Sequence, residues 1–196
     1  GLVFSLGLLL VLVGGAELFT GNTLMIGPVA HGRIRAGEAA AALAIVYAAN
    51  FAGSILLALL ALGAGLHEAG EGAVARAALD LGTTKTEKGV GQLLASGILA
   101  NMLVCLAVWL AYGGKTVTQK LAALVLPIAA FVAAGFEHSV ANMFLLPYAW
   151  LVQSATGAAA GLTFGTIAAN LIAATIGNLI GGALIALAYG RAYAKP

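Results

Sequence analysis

Two glutamates stand inside long apolar runs of this chain, and both stand in the same pattern. Gly15-Ala16-Glu17-Leu18-Phe19-Thr20-Gly21-Asn22 and Gly135-Phe136-Glu137-His138-Ser139-Val140-Ala141-Asn142 both read G-x-E-x-x-x-x-N, and a proline follows each (Pro28, Pro147). A carboxylate at mid-depth in a bilayer costs about 2.5–3.5 kcal/mol on insertion scales, so each must have partners. Glycines and hydroxyls beside each glutamate predict a helix that breaks and restarts, with Thr20 and Ser139 placed to accept from free backbone N–H groups. The restarted helices point positive dipole ends toward the centre, which attracts an anion without a fixed buried charge. Glu17 and Glu137 are expected to tie the turns together through backbone N–H groups; direct contact with a permeant species is the alternative. His138 lies at the second break, and its imidazole changes protonation near neutral pH, so it is a candidate pore-lining proton donor or relay.

The elements that must carry these residues follow from composition. Hydrophobic residues make up 62% of the 196 and charged residues 8%, against about 25% charged in soluble domains. Water-soluble enzymes, nucleic-acid binders and disordered tails are excluded. Solid apolar runs predict an all-α membrane protein, since a helix satisfies its own backbone in lipid; a barrel would alternate with period two. Five units are expected, near 1–31, 38–66, 90–113, 121–152 and 161–190. Arg33, Arg35, Lys115, Lys120, Arg191 and Lys195 fall on one side of the alternating topology. That side, with the C-terminus, is expected to face the cytoplasm of a multi-pass cell-membrane protein, in a prokaryotic inner or plasma membrane.

A second match supports an internal repeat. Ala49-Asn50-Phe51-Ala52-Gly53 resembles Gly177-Asn178-Leu179-Ile180-Gly181. Three crossings separate the broken units, so the repeat is inverted, and the site is expected at the repeat interface near the midplane. Residues 1–66 form the remainder of a first repeat, 67–89 an extracytoplasmic loop, and 90–196 a second repeat of plain, broken and plain spans. Symmetry predicts a sixth span ahead of Gly1, so that five of six are present.

Other residues read more simply. Asn50, Asn101, Asn142, Asn170 and Asn178 are intramembrane amides suited to inter-helix hydrogen bonds. Gly177-x-x-x-Gly181 and Gly157-x-x-x-Gly161-x-x-x-Gly165 read as close-packing faces. Cys105 reads as packing, and a lone cysteine permits no disulfide or cysteine-based metal site within one chain. His31 and His67 sit at span ends. Phe4, Leu8, Leu18 and Phe131 fit a core or a constriction equally well, and Lys85 reads as a surface lysine of the outer loop. No metal or cofactor is expected, and transport is expected rather than catalysis.

The two G-x-E segments resemble the signature segments of the formate/nitrite transporter family, and Gly97-Ile98-Leu99-Ala100-Asn101-Met102-Leu103-Val104-Cys105 resembles its fourth span. The resemblance implies an aquaporin-like fold and a homopentamer with one pore per protomer, without nucleic-acid partners. It implies proton-linked passage of small monovalent anions such as formate, nitrite or hydrosulfide. By position, Thr20 matches the family threonine of the first turn, His138 the central histidine, and Asn101 and Asn142 the pore amides. Lys85 matches the lysine that draws anions into the outer vestibule, and Phe4, Leu8, Leu18 and Phe131 match the apolar slits. Met143-Phe144 leans toward formate. The rival reading is a neutral-solute facilitator, but its paired Asn-Pro-Ala turns are replaced here by Glu-Leu-Phe-Thr and Glu-His-Ser-Val. A haem-bearing membrane anchor would need two buried histidines, and only His138 lies at depth.

Overall fold

The computed structural model describes residues 1–193. Lys195, counted above with the cytoplasmic cations, lies outside the described residues. The regular structure of the described residues is all helix. Helix α1 (Leu2–Gly14) breaks and resumes as α2 (Phe19–Asn22), a 3-10 turn (Thr23–Met25) and α3 (Ile26–Ala30). The two parts meet at 59°. Helix α4 (Ala36–Gly63), α5 (Ala69–Thr86) and α6 (Val90–Tyr112) follow, then α7 (Val117–Ala133), α8 (Ser139–Thr156) and α9 (Phe164–Ala192). The helices α4, α6 and α9 are each long and apolar enough to cross a membrane. Thr116 and Thr163 cap α7 and α9 by accepting from Gln119 N and Thr166 N, the usual use of a hydroxyl at a helix start.

Helix α9 packs on α6 along the expected Gly177/Gly181 face. Added Cβ atoms there would run into the backbone of Leu94, Gly97 and Ile98, so only glycine permits this approach. The second glycine stripe is corrected. Gly157 and Gly161 lie between α8 and α9, both at φ 70°, with no atom close enough to suggest packing. They turn the chain in a left-handed conformation that favours glycine; a Cβ added at Gly165 would reach only Thr163 among the described residues.

The outer segment is also more ordered than a loop. Helix α5 packs against α8 and α9 and delivers Lys85 to the interior. Helix α4 is the least covered, with Ile45, Leu56, Leu57, Leu59 and Leu60 exposed, an apolar face suited to lipid or to another protein surface.

Candidate functional site

The two breaks have one construction. In the first, Gly15 ends α1 in the left-handed region (φ 77°) and Leu18 is extended before α2 begins. In the second, Gly135 (φ 64°) follows α7 and His138 is extended before α8 begins. Extended residues leave backbone groups without helical partners, and a buried one must find another. One asparagine on a plain span supplies it in each half. Asn50 Oδ1 accepts from Phe19 N at 2.9 Å, while its Nδ2 donates to Glu17 O at 3.0 Å. Asn178 Oδ1 accepts from Ser139 N at 2.8 Å, while its Nδ2 donates to Glu137 O at 2.9 Å and Gly97 O at 2.8 Å.

The expectation that the glutamate side chains bind backbone N–H groups is therefore corrected. Each takes a side-chain amide five residues on: Asn22 Nδ2 to Glu17 Oε2, and Asn142 Nδ2 to Glu137 Oε2, both at 2.6 Å. An asparagine amide offers a donor and an acceptor in one plane, so it can clamp both sides of a turn where a carboxylate only accepts. The expected hydroxyl caps are corrected too. Thr20 Oγ1 bonds His138, and Ser139 Oγ has no partner among the described residues.

Those breaks bring Thr20 and His138 together, 118 residues apart in sequence. Thr20 Oγ1 lies 2.9 Å from His138 Nε2, and both residues are buried. His138 Nδ1 accepts from Ala141 N at 3.0 Å and so caps α8. That bond occupies the Nδ1 lone pair. The neutral ring then carries its proton on Nε2 and donates it to Thr20 Oγ1, a tautomer inferred from the network. Phe131 stacks on the imidazole at 5.7 Å between centroids, and Phe4 meets it edge-on at 6.1 Å. Leu8 and Phe131 belong to one apolar cluster with Val104, and Leu18 packs against it. Phe4 and Phe131 thus lie beside the histidine, and Leu8 and Leu18 in the apolar cluster to which Phe131 belongs.

The remaining candidates are buried rather than lining open space. Asn101 Nδ2 donates to Thr23 Oγ1 at 3.0 Å and Asn178 O at 2.6 Å, and Thr23 donates to Thr20 O at 2.6 Å. Hydrogen bonds thereby connect the Asn178 clamp of one break to Thr20 of the other. Asn101 Oδ1 and Asn142 Oδ1 have no partner among the described residues, which leaves each an acceptor to offer. Asn170 Nδ2 donates to Lys85 O and Asn142 Nδ2 donates to Asn170 Oδ1. Cys105 is buried beside Thr20 O and Thr23 Oγ1. His31 stays at a span end, its Nδ1 2.9 Å from Gly27 O.

Lys85 is not a surface lysine. Its Nζ lies 3.0 Å from Glu137 Oε2, inside the protein. Burial pulls its pKa below the ordinary lysine range, and the Glu137 carboxylate opposes that pull. Lys88, which the sequence reading passed over, lies 2.7 Å from Glu137 Oε1 and donates to Gly135 O at 3.1 Å. Its spacing from Lys85 was the one available signal. Ser96 was also missed; its Oγ accepts from Glu137 N at 3.0 Å, a contact across 41 residues that no local pattern announces. Glu17 is exposed and lacks an equivalent lysine among the described residues.

Residues 1–190 match the profile described as formate/nitrite transporter. The chain belongs to the formate/nitrite transporter family. The formate channel FocA of Escherichia coli (strain K12) is 40% identical over 198 residues, covering 94% of this chain and 70% of that protein. The nitrite transporter NirC of Salmonella typhimurium (strain LT2) is 35% identical over 199 residues, covering 100% of this chain and 70% of that protein. A solved structure titled as a pentameric formate channel with formate bound superposes with a TM-score of 0.88 at 36% identity, over 99% of this chain and 82% of that one. As a formate/nitrite transporter family member, this chain is a multi-pass membrane protein. The broken spans described above are thus parts of a transporter fold.

Proposed function

We propose that this chain is a protomer of a homopentameric channel for small monovalent anions of weak acids, formate first and nitrite or hydrosulfide next, moved with a proton. The observation that carries the reading is the Thr20–His138 hydrogen bond between two helix breaks, flanked by Phe4 and Phe131. The named activities of the relatives and the pentamer of the solved neighbour support it. The basic residues at Arg33, Arg35, Lys115 and Arg191 orient the C-terminus to the cytoplasm of a prokaryotic plasma or inner membrane.

A bare anion in an apolar slit costs several kcal/mol even after relaxation, by about the same reasoning that makes buried ions expensive. The neutral acid avoids most of that cost. In this mechanism the lysines at the outer end and the half-helix dipoles gather the anion. The anion then replaces Thr20 as acceptor of the His138 Nε2–H. A neutral ring that gave up this proton would become an imidazolate, and the Ala141 N–H occupies the other nitrogen. His138 therefore orients and polarises the anion, while a solvent proton that enters the vestibule as hydronium neutralises it, so that anion and proton cross together. The acid crosses between the phenyl rings and ionises on the far side.

Proteoliposome uptake tests this. Formate flux should exceed glycerol flux and rise as pH falls. His138→Phe should lower formate flux; unchanged flux and unchanged pH dependence would remove His138 from the mechanism.

A further inference from the structure

A cavity of about 610 Å³ opens between the end of the first broken span and the ends of α6 and α9. Small-molecule sites run from about 300 to 1,000 Å³. Leu24, Pro28, Trp109 and Tyr189 wall it, and the exposed His31 and Arg33 complete it. Leu24 precedes α3 and Arg33 follows it, so the wall passes from apolar to cationic toward the end of the span. Trp109, Tyr189 and Tyr193 form one group of rings, with centroids 4.8 Å apart for Trp109 and Tyr189, 5.7 Å for Trp109 and Tyr193, and 5.9 Å for the two tyrosines. Rings with a polar tip concentrate where lipid headgroups meet water.

The polar side of the cavity is unspent. Glu38, the acid nearest Arg33 in sequence, is held by Arg35. Arg33 has no salt bridge among the described residues. Gly27 O accepts from His31 Nδ1 at 2.9 Å, so the neutral ring offers Nε2 as an acceptor. Gly190 makes room for this ring, since an added Cβ would stand 2.7 Å from His31 Cε1.

We propose that this cavity binds the headgroup of an anionic phospholipid of the phosphatidylglycerol type. The Arg33 guanidinium takes the phosphate, a pairing for which its planar fork is suited, and His31 Nε2 accepts from a headgroup hydroxyl. A soluble glycerol phosphate has the same polar chemistry. The apolar wall at Leu24 and the ring group favour the lipid, which brings acyl chains as well as charge. The bound lipid ties α9 to the half-span that carries Thr20, at the opposite end from the break.

The test uses the purified assembly in nanodiscs of phosphatidylglycerol and phosphatidylcholine in equal parts, read by native mass spectrometry of the lipid that stays bound. Both leaflets of a nanodisc are alike, so the result depends neither on which end is cytoplasmic nor on anion flux. Wild type should retain phosphatidylglycerol in preference to phosphatidylcholine. Arg33→Gln should lower the retained phosphatidylglycerol about fivefold, the usual effect of one basic residue at an anionic surface. Arg35→Gln should leave it unchanged, because Arg35 lies outside the cavity wall. Equal losses in the two variants overturn the proposal, since that is bulk attraction by surface charge. Absence of any preference in wild type also overturns it, as does full displacement of the lipid by free glycerol phosphate, which would make the ligand soluble. If Arg33→Gln does not assemble, fluorescence decides. With Trp150→Phe, Trp109 is the remaining tryptophan of two. Phosphatidylglycerol added to that protein in detergent should shift the Trp109 emission and saturate at about one lipid per protomer; an emission that phosphatidylcholine shifts equally, or that neither lipid shifts, overturns the proposal.

Discussion

Replacing Asn178 by leucine tests whether the second helix break depends on a single side chain. Leucine keeps the branch at Cγ but is the larger side chain, so overpacking adds to the loss of the hydrogen bonds and leaves no cavity. Asn178 is fully buried and serves Ser139 N, Glu137 O and Gly97 O. Gly97 lies within α6, so its carbonyl keeps a helical partner. Ser139 N and Glu137 O flank the extended His138 and have no helical alternative. Two buried orphans at about 1–3 kcal/mol each predict a loss of about 2–6 kcal/mol. Inter-helix polar contacts in membranes average only about 0.6 kcal/mol and reach about 1.7, because the unfolded state in the bilayer also finds partners. The larger figure applies here, since a non-helical turn cannot satisfy itself in lipid once its clamp is gone. Thermal or detergent-induced unfolding of the purified assembly gives the magnitude, and formate flux should fall with it as the start of α8 and His138 shift. A loss below about 1 kcal/mol would refute the reasoning, because it would mean that the start of α8 is satisfied by something other than Asn178.

Two further substitutions probe the same architecture. Thr20→Val keeps the shape of the side chain and strands the His138 N–H, so stability should drop by about 1–3 kcal/mol, and formate flux at two pH values should fall well below that of Thr20→Ser. Gly181→Leu drives a side chain into the Ile98 backbone; overpacking of this kind costs about 1–3 kcal/mol or more, and size-exclusion chromatography should show loss of the folded assembly.

The hydropathy runs determined the spans, because a helix in lipid satisfies its own backbone and twenty apolar residues suffice to cross. Gly15 and Gly135 beside carboxylates inside apolar runs determined the breaks, since both signals are local in sequence. The matching asparagines at 50 and 178 hold the two breaks in the same way. Resemblance carried Thr20 and His138 to one site, and the structure places them in contact.

Local pattern did not determine which groups satisfy one another. The Asn50 clamp acts across 31 residues and the Asn178 clamp across 39. A Gly-x-x-x-Gly spacing reads the same at 157–161 and at 177–181. Only backbone torsion separates the left-handed turn from the packed helix face. Lys85 resembled a surface lysine because its ion pair lies 52 residues away in the chain. The sequence by itself thus determined where the chain crosses and where it must break, both consequences of solvation. Tertiary structure decided the partner of each buried charge and amide, because a hydrogen bond depends on distance and direction in space, and hydropathy encodes neither.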